Sequence, residues 1–482
     1  MISIAPRSSK LLQAMRGSFG LRAIVAWKPS RLLILLLACY VALGLSYHFT
    51  VPYASRPDEP WHIAYVKYLQ DHGSLPVVNL RNEGFDNRPA WDLEGHQPPL
   101  YYAMVEWLTR DEHLVDVDRL YAPNPHIFTT VWGNRNPWLP QSSHAYATLQ
   151  SGRFLSLCFG LVTLLAVYGM ARIFASPTVA LLATAFTAFN PMYLFISTSF
   201  SNDLAVTALC SVAVWFLASE IGKPLKLWRA AVLGTLIGMA TLAKLSGFVL
   251  IVLVPVVTLL DRFFWHRHTD REPARTMVGY LALATTIACL IPLPWFLRNW
   301  QLYGDPMATS ALHSMVGARQ GPISLSALGE LLDFFWRGYW LDFSPGGLVY
   351  GPQWYYAAYG VVLLIALAGL VLVWHKLREE RPYLIVCVVW ILIYFVALLY
   401  STMQAAKLMG GGRLLFPVST SISVLIAVGV LHPWPRRWRS ILALLVTLML
   451  MGSAIFAWTT ILWRNCSINR GKPPERLGEA HV

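Results

Sequence analysis

Two adjacent carboxylates and a histidine stand in Arg56-Pro57-Asp58-Glu59-Pro60-Trp61-His62, directly after the first long apolar run of a 482-residue chain. A carboxylate at the edge of an apolar phase loses hydration, which raises its pKa and makes it a better base. Further on comes Glu94-Gly95-His96-Gln97-Pro98-Pro99-Leu100-Tyr101-Tyr102. A proline pair followed by Leu-Tyr-Tyr starts a helix, so Glu94, His96 and Gln97 are expected just before its N-terminus, where free N–H groups favour an anion. Asp58, Glu59 and Glu94 are therefore the candidate catalytic acids, and His62, His96, Gln97 and Tyr101 are candidate substrate ligands. The plainer reading of Asp58-Glu59 is a capped surface helix with solvated acids. Ionisable groups at membrane depth favour function over it.

More polar clusters follow at the ends of apolar runs: Asn202-Asp203, Lys244, Arg298-Asn299, and Lys407 to Arg413 around three glycines. Lys244, Arg298, Lys407 and Arg413 suit a phosphate. Arg grips it in bidentate fashion, Lys acts as a point charge, and Gly allows close approach. Taken singly, each cation reads equally well as a snorkelling helix-end residue, and Asn202-Asp203 as an N-cap. Asn202, Asp203 and Asn299 join the four cations as candidate substrate-binding residues. His62 and His96 with Asp58, Glu59 and Glu94 could hold a divalent metal. Their spacing matches no recognised ligand pattern, so histidines hydrogen-bonded in a polar pocket are favoured over a metal site. There is no nucleophile elbow and no Ser-His-Asp order.

The elements that position these residues are apolar. The chain is 56% hydrophobic and only 13% charged, too little charge for a water-exposed surface. Runs of spanning length occur near 31–52, 149–172, 177–198, 204–219, 229–244, 246–264, 277–297, 354–374, 383–402, 413–431 and 440–463. The expected fold is an all-α polytopic membrane protein of about eleven transmembrane helices. Residues 1–30 read as a basic cytoplasmic interfacial segment, 31–463 as the transmembrane domain, and 464–482 as a polar outer tail. Outer loops are expected over 53–148 and 298–353, the first carrying short surface helices, with Trp61, Tyr65, Tyr68 and Leu69 anchoring one of them in the outer leaflet. Five of the six cysteines fall inside apolar runs and read as small core residues, not as a disulfide framework.

A net charge of +13 would suit nucleic acid, but its distribution excludes that. With the N-terminus in the cytoplasm, inner segments carry 20 Lys and Arg against 6 acids, and outer segments carry 18 against 19, a net of +14 and −1. This is the positive-inside pattern. It places every unusual polar cluster on the outer side.

An acidic pair after the first helix, an aromatic surface helix and a Pro-Pro-Leu-Tyr-Tyr element together resemble the GT-C membrane glycosyltransferases, among them the protein O-mannosyltransferases and the lipid A aminoarabinose transferase. A closer likeness is to bacterial polytopic membrane proteins grouped beside that superfamily. The shared stretches are Asn190–Asp203, Thr241–Gly247, Pro294–Pro306 and Gly412–Pro417, so the likeness spans about residues 50–420. The resemblance implies a polyprenyl-phosphate-linked sugar donor, an acceptor hydroxyl on the periplasmic face of a bacterial inner membrane, and Asp58 as the base. Aminoarabinose-transferase-like enzymes have Glu-Lys before Pro-Pro. Here Gln97 stands there and Glu94 lies three residues back, so Glu94 or His96 takes the second role. Membrane lipids, and no nucleic acid, are the expected partners. A transporter or flippase is the alternative. It would place polar groups near the midplane in related halves, and no halves match.

The charge split predicts that reporter fusions after Trp265 and His375 read cytoplasmic, and fusions near Gly84 and Gly321 external. A cytoplasmic reading at Gly84 would put the acids on the wrong side for this chemistry.

Overall fold

The computed structural model describes residues 31–462 apart from 52, 55, 82–87, 113, 115–144, 266–272, 322, 344–349 and 406–410. The terminal segments 1–30 and 464–482, and Lys407, lie outside the described residues, as do parts of both expected outer loops. Among the described residues there is no sheet, only two isolated antiparallel bridges. The chain is a helical, multi-pass membrane protein.

The helices are α1 (Arg31–Thr50), α2 (Glu59–His72), α3 (Leu100–Leu108), α4 (Ala145–Phe174), α5 (Pro177–Ala188), α6 (Pro191–Ser197), α7 (Asp203–Ser219), α8 (Leu227–Ala243), α9 (Leu250–Leu260), α10 (Ala274–Leu290), α11 (Leu293–Tyr303), α12 (Thr309–Val316), α13 (Leu325–Trp340), α14 (Gln353–Val373), α15 (Arg381–Gln404), α16 (Ser419–Leu431) and α17 (Arg436–Phe456). Each predicted apolar run falls on one of these helices or on a pair. By length and composition seven can cross a membrane, or nine if each of two bent pairs is one span. The remaining two runs are α7 and α8, each only 17 residues long.

Both bends have local causes. Pro191 follows Asn190, whose side chain accepts the N–H groups of Met192 and Tyr193 at 2.9 and 3.1 Å, so α6 restarts at 66° to α5. Proline removes a helix donor and clashes with the preceding turn. Pro292 and Pro294 similarly turn α11 by 52° from α10. The expected single spans at 177–198 and 277–297 are therefore broken ones.

The span containing α16 is the central one, with 78% of its apolar window buried against 28% for α14 and 22% for α17. Small and hydroxyl-bearing side chains let its neighbours approach. Thr420 donates to Ser211 at 2.8 Å, and Thr187 and Ser423 share a bond at 2.8 Å. In a membrane such contacts replace hydrophobic drive.

Short helices cover one end of this bundle. α2 was expected to lie in a lipid leaflet, yet Trp61 and Tyr65 are buried in protein. Tyr65 stacks on Tyr102 of α3 with centroids 3.8 Å apart, so the aromatic face finds a protein partner rather than lipid. The chain after α2 is stapled by buried Arg88, which meets Asp92 at 2.5 Å and the carbonyls of Asn79 and Arg81 at 2.6 Å.

α14 crosses α16 at glycines. A Cβ on Gly429 would lie 2.1 Å from the Ala366 carbonyl oxygen. Gly429→Ala must push the helices apart, and overpacking of this kind costs about 1–3 kcal/mol. The variant is expected to unfold at lower temperature in detergent. Unchanged unfolding would mean the crossing is not close-packed.

Candidate active site

Asp58 stands where the chain after α1 turns into α2. Its backbone is left-handed, at φ 59° and ψ −4°, an uncommon state for a residue with a Cβ. Its carbonyl accepts the N–H groups of Trp61 and His62 at 3.0 and 3.1 Å. Asp58 thus holds the expected N-cap position. Its carboxylate does not cap, however, but reaches across the pocket to the Arg413 guanidinium.

The next residue points the other way. Glu59 is fully buried and takes two bonds from Arg153 of α4, at 2.7 and 2.8 Å. It also accepts the Phe200 N–H at 3.0 Å, and Arg56 stands 3.7 Å away. Burial pushes its pKa up, but the two guanidiniums and the backbone bond prevail and hold it at about 2. Glu59, expected as a catalytic acid, has both carboxylate oxygens engaged by Arg153 and one also by the Phe200 N–H.

Around Asp58 the structure gathers His62, Glu94, His96, Gln97, Asn202, Asp203, Lys244 and Arg413 from five separate stretches of chain. Lys244 meets Asp203 at 2.6 Å, and Arg413 Nε lies 3.9 Å from the other Asp203 oxygen. Gln97 bridges His96, at 3.4 Å, and Asn202, at 3.3 Å. His62 shares a 2.7 Å bond with the Tyr102 hydroxyl. Burial foremost pushes both histidines down to about 4, so they are neutral at pH 7. Burial, and then the Asp58 carboxylate, lifts Glu94 to about 8.

Among the described residues, Asp58, His62 and Glu94 bring potential metal-ligand atoms within 4.8 Å of one another. A cation there would share the Asp58 carboxylate with Arg413 or displace it. In the arrangement seen, the guanidinium supplies the positive charge.

Other candidates sit elsewhere. Tyr101 is buried and donates to the Gly152 carbonyl at 2.9 Å, pinning α3 to α4. Arg298 holds the carbonyls of Leu75 and Pro76 at 3.1 and 2.7 Å, and Asn299 donates to the Pro306 carbonyl at 3.1 Å. Of these three expected substrate ligands, Tyr101 joins two helices, and Arg298 and Asn299 hold irregular stretches of chain through main-chain carbonyls. The glycine before Arg413 is no phosphate cradle either. A Cβ on Gly412 would fall 2.0 Å from the Phe335 carbonyl, so this glycine lets α13 pass.

The fold has known counterparts. A family model described as dolichyl-phosphate-mannose-protein mannosyltransferase matches residues 143–296. The oligosaccharyltransferase of Archaeoglobus fulgidus, solved with zinc and sulfate, superposes with a TM-score of 0.54 over 92% of this chain and 54% of its own, at 12% identity. The chain has the GT-C membrane glycosyltransferase fold. The same archaeal protein in complex with an inhibitory peptide and a dolichol-phosphate gives 0.51 over 92% of this chain and 56% of its own, at 13% identity. ArnT from Cupriavidus metallidurans bound to undecaprenyl phosphate gives 0.46 over 89% and 73%, at 15% identity. The chain thus spans little more than half the length of the archaeal relative. No curated protein sequence matches it.

Within this GT-C fold the matched stretch contains Arg153, Asn202, Asp203 and Lys244, but neither Asp58 nor Arg413. Arg56, Arg153 and Tyr102 were missed as site-forming residues. The signal for Arg153 was present: an arginine inside an apolar run must find an anion or carbonyls. It has both, since it also donates to the carbonyls of His48 and Val51 at 3.3 and 2.9 Å.

Removing one partner of a buried ion pair leaves the other uncompensated and costs about 3–5 kcal/mol. Arg153→Met is therefore expected to destabilise the protein strongly, with Glu59→Gln in the same chain recovering part of the loss. Thermal unfolding of the single and double variants in detergent measures the coupling. Strictly additive losses would show that the pair is not coupled.

Proposed function

We propose that this GT-C protein moves a sugar from a polyprenyl-phosphate donor to an acceptor hydroxyl at the periplasmic face of a bacterial inner membrane. The observation that carries this reading is the Asp58 carboxylate held against Arg413 beside the Lys244–Asp203 pair. Residues 31–463 would form one catalytic transmembrane domain for this reaction.

The chemistry needs one base and some positive charge. A sugar on a lipid phosphate has a good leaving group, because the released phosphate has a second pKa of about 6. No general acid is required, only cations that hold growing negative charge. Arg413 and Lys244 fill that role. Before the donor arrives each is answered by a carboxylate. A phosphate competes for both cations and so frees Asp58 from its guanidinium, and a carboxylate released from a cation is a stronger base. Asp58 then takes the acceptor proton as the hydroxyl attacks the anomeric carbon. A single displacement inverts that centre.

Asp58→Asn keeps the shape of the side chain and removes the proton acceptor. Purified protein in proteoliposomes, given lipid-linked sugars extracted from its host membrane, is expected to lose transfer by roughly a hundredfold or more. Turnover like that of the unaltered protein would remove the catalytic assignment and favour transport of the same lipid.

A further inference from the structure

We infer that Asn202 is the positioning residue for Lys244: its side-chain amide fixes the main chain at the end of α8, so that the Lys244 ammonium can leave Asp203 for the donor's phosphate without losing its place. The inference rests on the glycosyl-transfer reading above and names the contact that must stay still while the cation changes partners.

Asn202 stands at the N-cap position of α7, yet its side chain makes no capping bond there. That task falls to Ser201, whose hydroxyl oxygen accepts the Asp203 N–H at 3.1 Å. The Asn202 amide turns to another helix instead. Its Nδ2 donates to the Ala243 carbonyl at 3.0 Å and to Gln97 Oε1 at 3.3 Å. A main-chain carbonyl only accepts, which settles the orientation of the amide. Asn202 is 0% exposed, and a buried amide held by two bonds has little freedom.

Ala243 is the last residue of α8. The final carbonyls of a helix receive no N–H from a following turn, and in a membrane interior no water replaces it. Here the chain leaves the helix at Lys244, which is extended at φ −159° and ψ 140°, and then folds back. A Cβ on Gly247 would lie 2.4 Å from the main chain of Ala240. The Asn202 amide thus meets a carbonyl at the helix break, one residue before the cation.

Two adjacent residues therefore grip two adjacent residues. Asn202 holds the main chain of Ala243 at 3.0 Å, and Asp203 holds the ammonium of Lys244 at 2.6 Å. An incoming phosphate acts differently on the two grips. It competes with Asp203 for the ammonium, because both are anions. Between the Asn202 amide and a neutral carbonyl there is no charge for it to replace. When the ion pair opens, the Asn202 bond keeps the Lys244 backbone where it was. A group held ready in this way loses less freedom when it binds.

Binding of a polyprenyl phosphate to the purified full chain in detergent, followed by tryptophan fluorescence, tests this. Lys244→Met is expected to raise Kd by about tenfold or more. Asn202→Ala is expected to raise it by about fivefold in the unaltered chain but by less than about twofold in Lys244→Met, because a residue that acts through Lys244 then has nothing left to position. Thermal unfolding of the same samples shows that each variant is folded. Asn202→Leu fills the space without donating a hydrogen bond, so it should behave like Asn202→Ala and takes its place if the alanine variant does not fold. Equal losses in both backgrounds would overturn the inference, because Asn202 would then act on the ligand or the fold independently of Lys244. Unaltered affinity in Asn202→Ala would overturn it too. So would failure of both Asn202 variants to fold, which would make the residue a support of the whole bundle. No binding of polyprenyl phosphate by the unaltered protein would instead count against the glycosyl-transfer reading itself.

Discussion

The buried cluster of Arg56, Glu59 and Arg153 is the interaction on which the rest of the site depends. One carboxylate faces two guanidiniums with no exposure to speak of. Charges cost several kcal/mol each to bury, and good geometry with extra hydrogen bonds must offset that. Here several of the other donors are met by main-chain and hydroxyl oxygens. Arg56 reaches Tyr47 O at 3.1 Å and Thr198 Oγ1 at 3.0 Å, and Arg153 reaches the end of α1. Thus α1, α4 and the chain after α6 are all tied to the first residue of α2. Asp58 precedes that residue, in a left-handed conformation that such a clamp can hold in place. In the proposed reaction, a base that must meet its substrate at a defined angle gains from a neighbour that is held in place.

Polar residues at this end of the bundle divide into two sets by what they meet first. Arg298, Asn299 and Arg88 find main-chain carbonyls and serve as fasteners for irregular backbone, while Tyr101 ties one helix to another. Irregular backbone near a membrane needs them, because its N–H and C=O groups have no water to fall back on. Asp58, Asp203, Lys244 and Arg413 find one another. Their pairing keeps the pocket close to neutral and leaves the cations held by contacts that a phosphate can replace.

Glu94 and Asp58 stand differently towards the cations of the cluster. Among the described residues, ion pairs join Asp58 to Arg413 and Asp203 to Lys244, and burial penalises an acid left without one. Among the described residues Glu94 forms no such ion pair, and Lys244 and Arg413 act on it only from further off. Two carboxylates that look interchangeable as text therefore have different chemical characters.

Fold class and the set of polar clusters were legible in the sequence because they depend on local properties. An apolar run of spanning length is a helix wherever it lies, and Asn190-Pro191 or Pro294 shows where one breaks. Asp58, Glu94, Asn202, Lys244 and Arg413 stood out as polar groups beside apolar runs, and they do come together. Which of them react and which merely hold could not be read there. Glu59 and Asp58 are adjacent and chemically alike. The difference is that Arg153, on a helix whose start lies more than 80 residues away in the chain, reaches one and not the other. Such pairing depends on where distant helices bring their charges, so tertiary structure alone decided it.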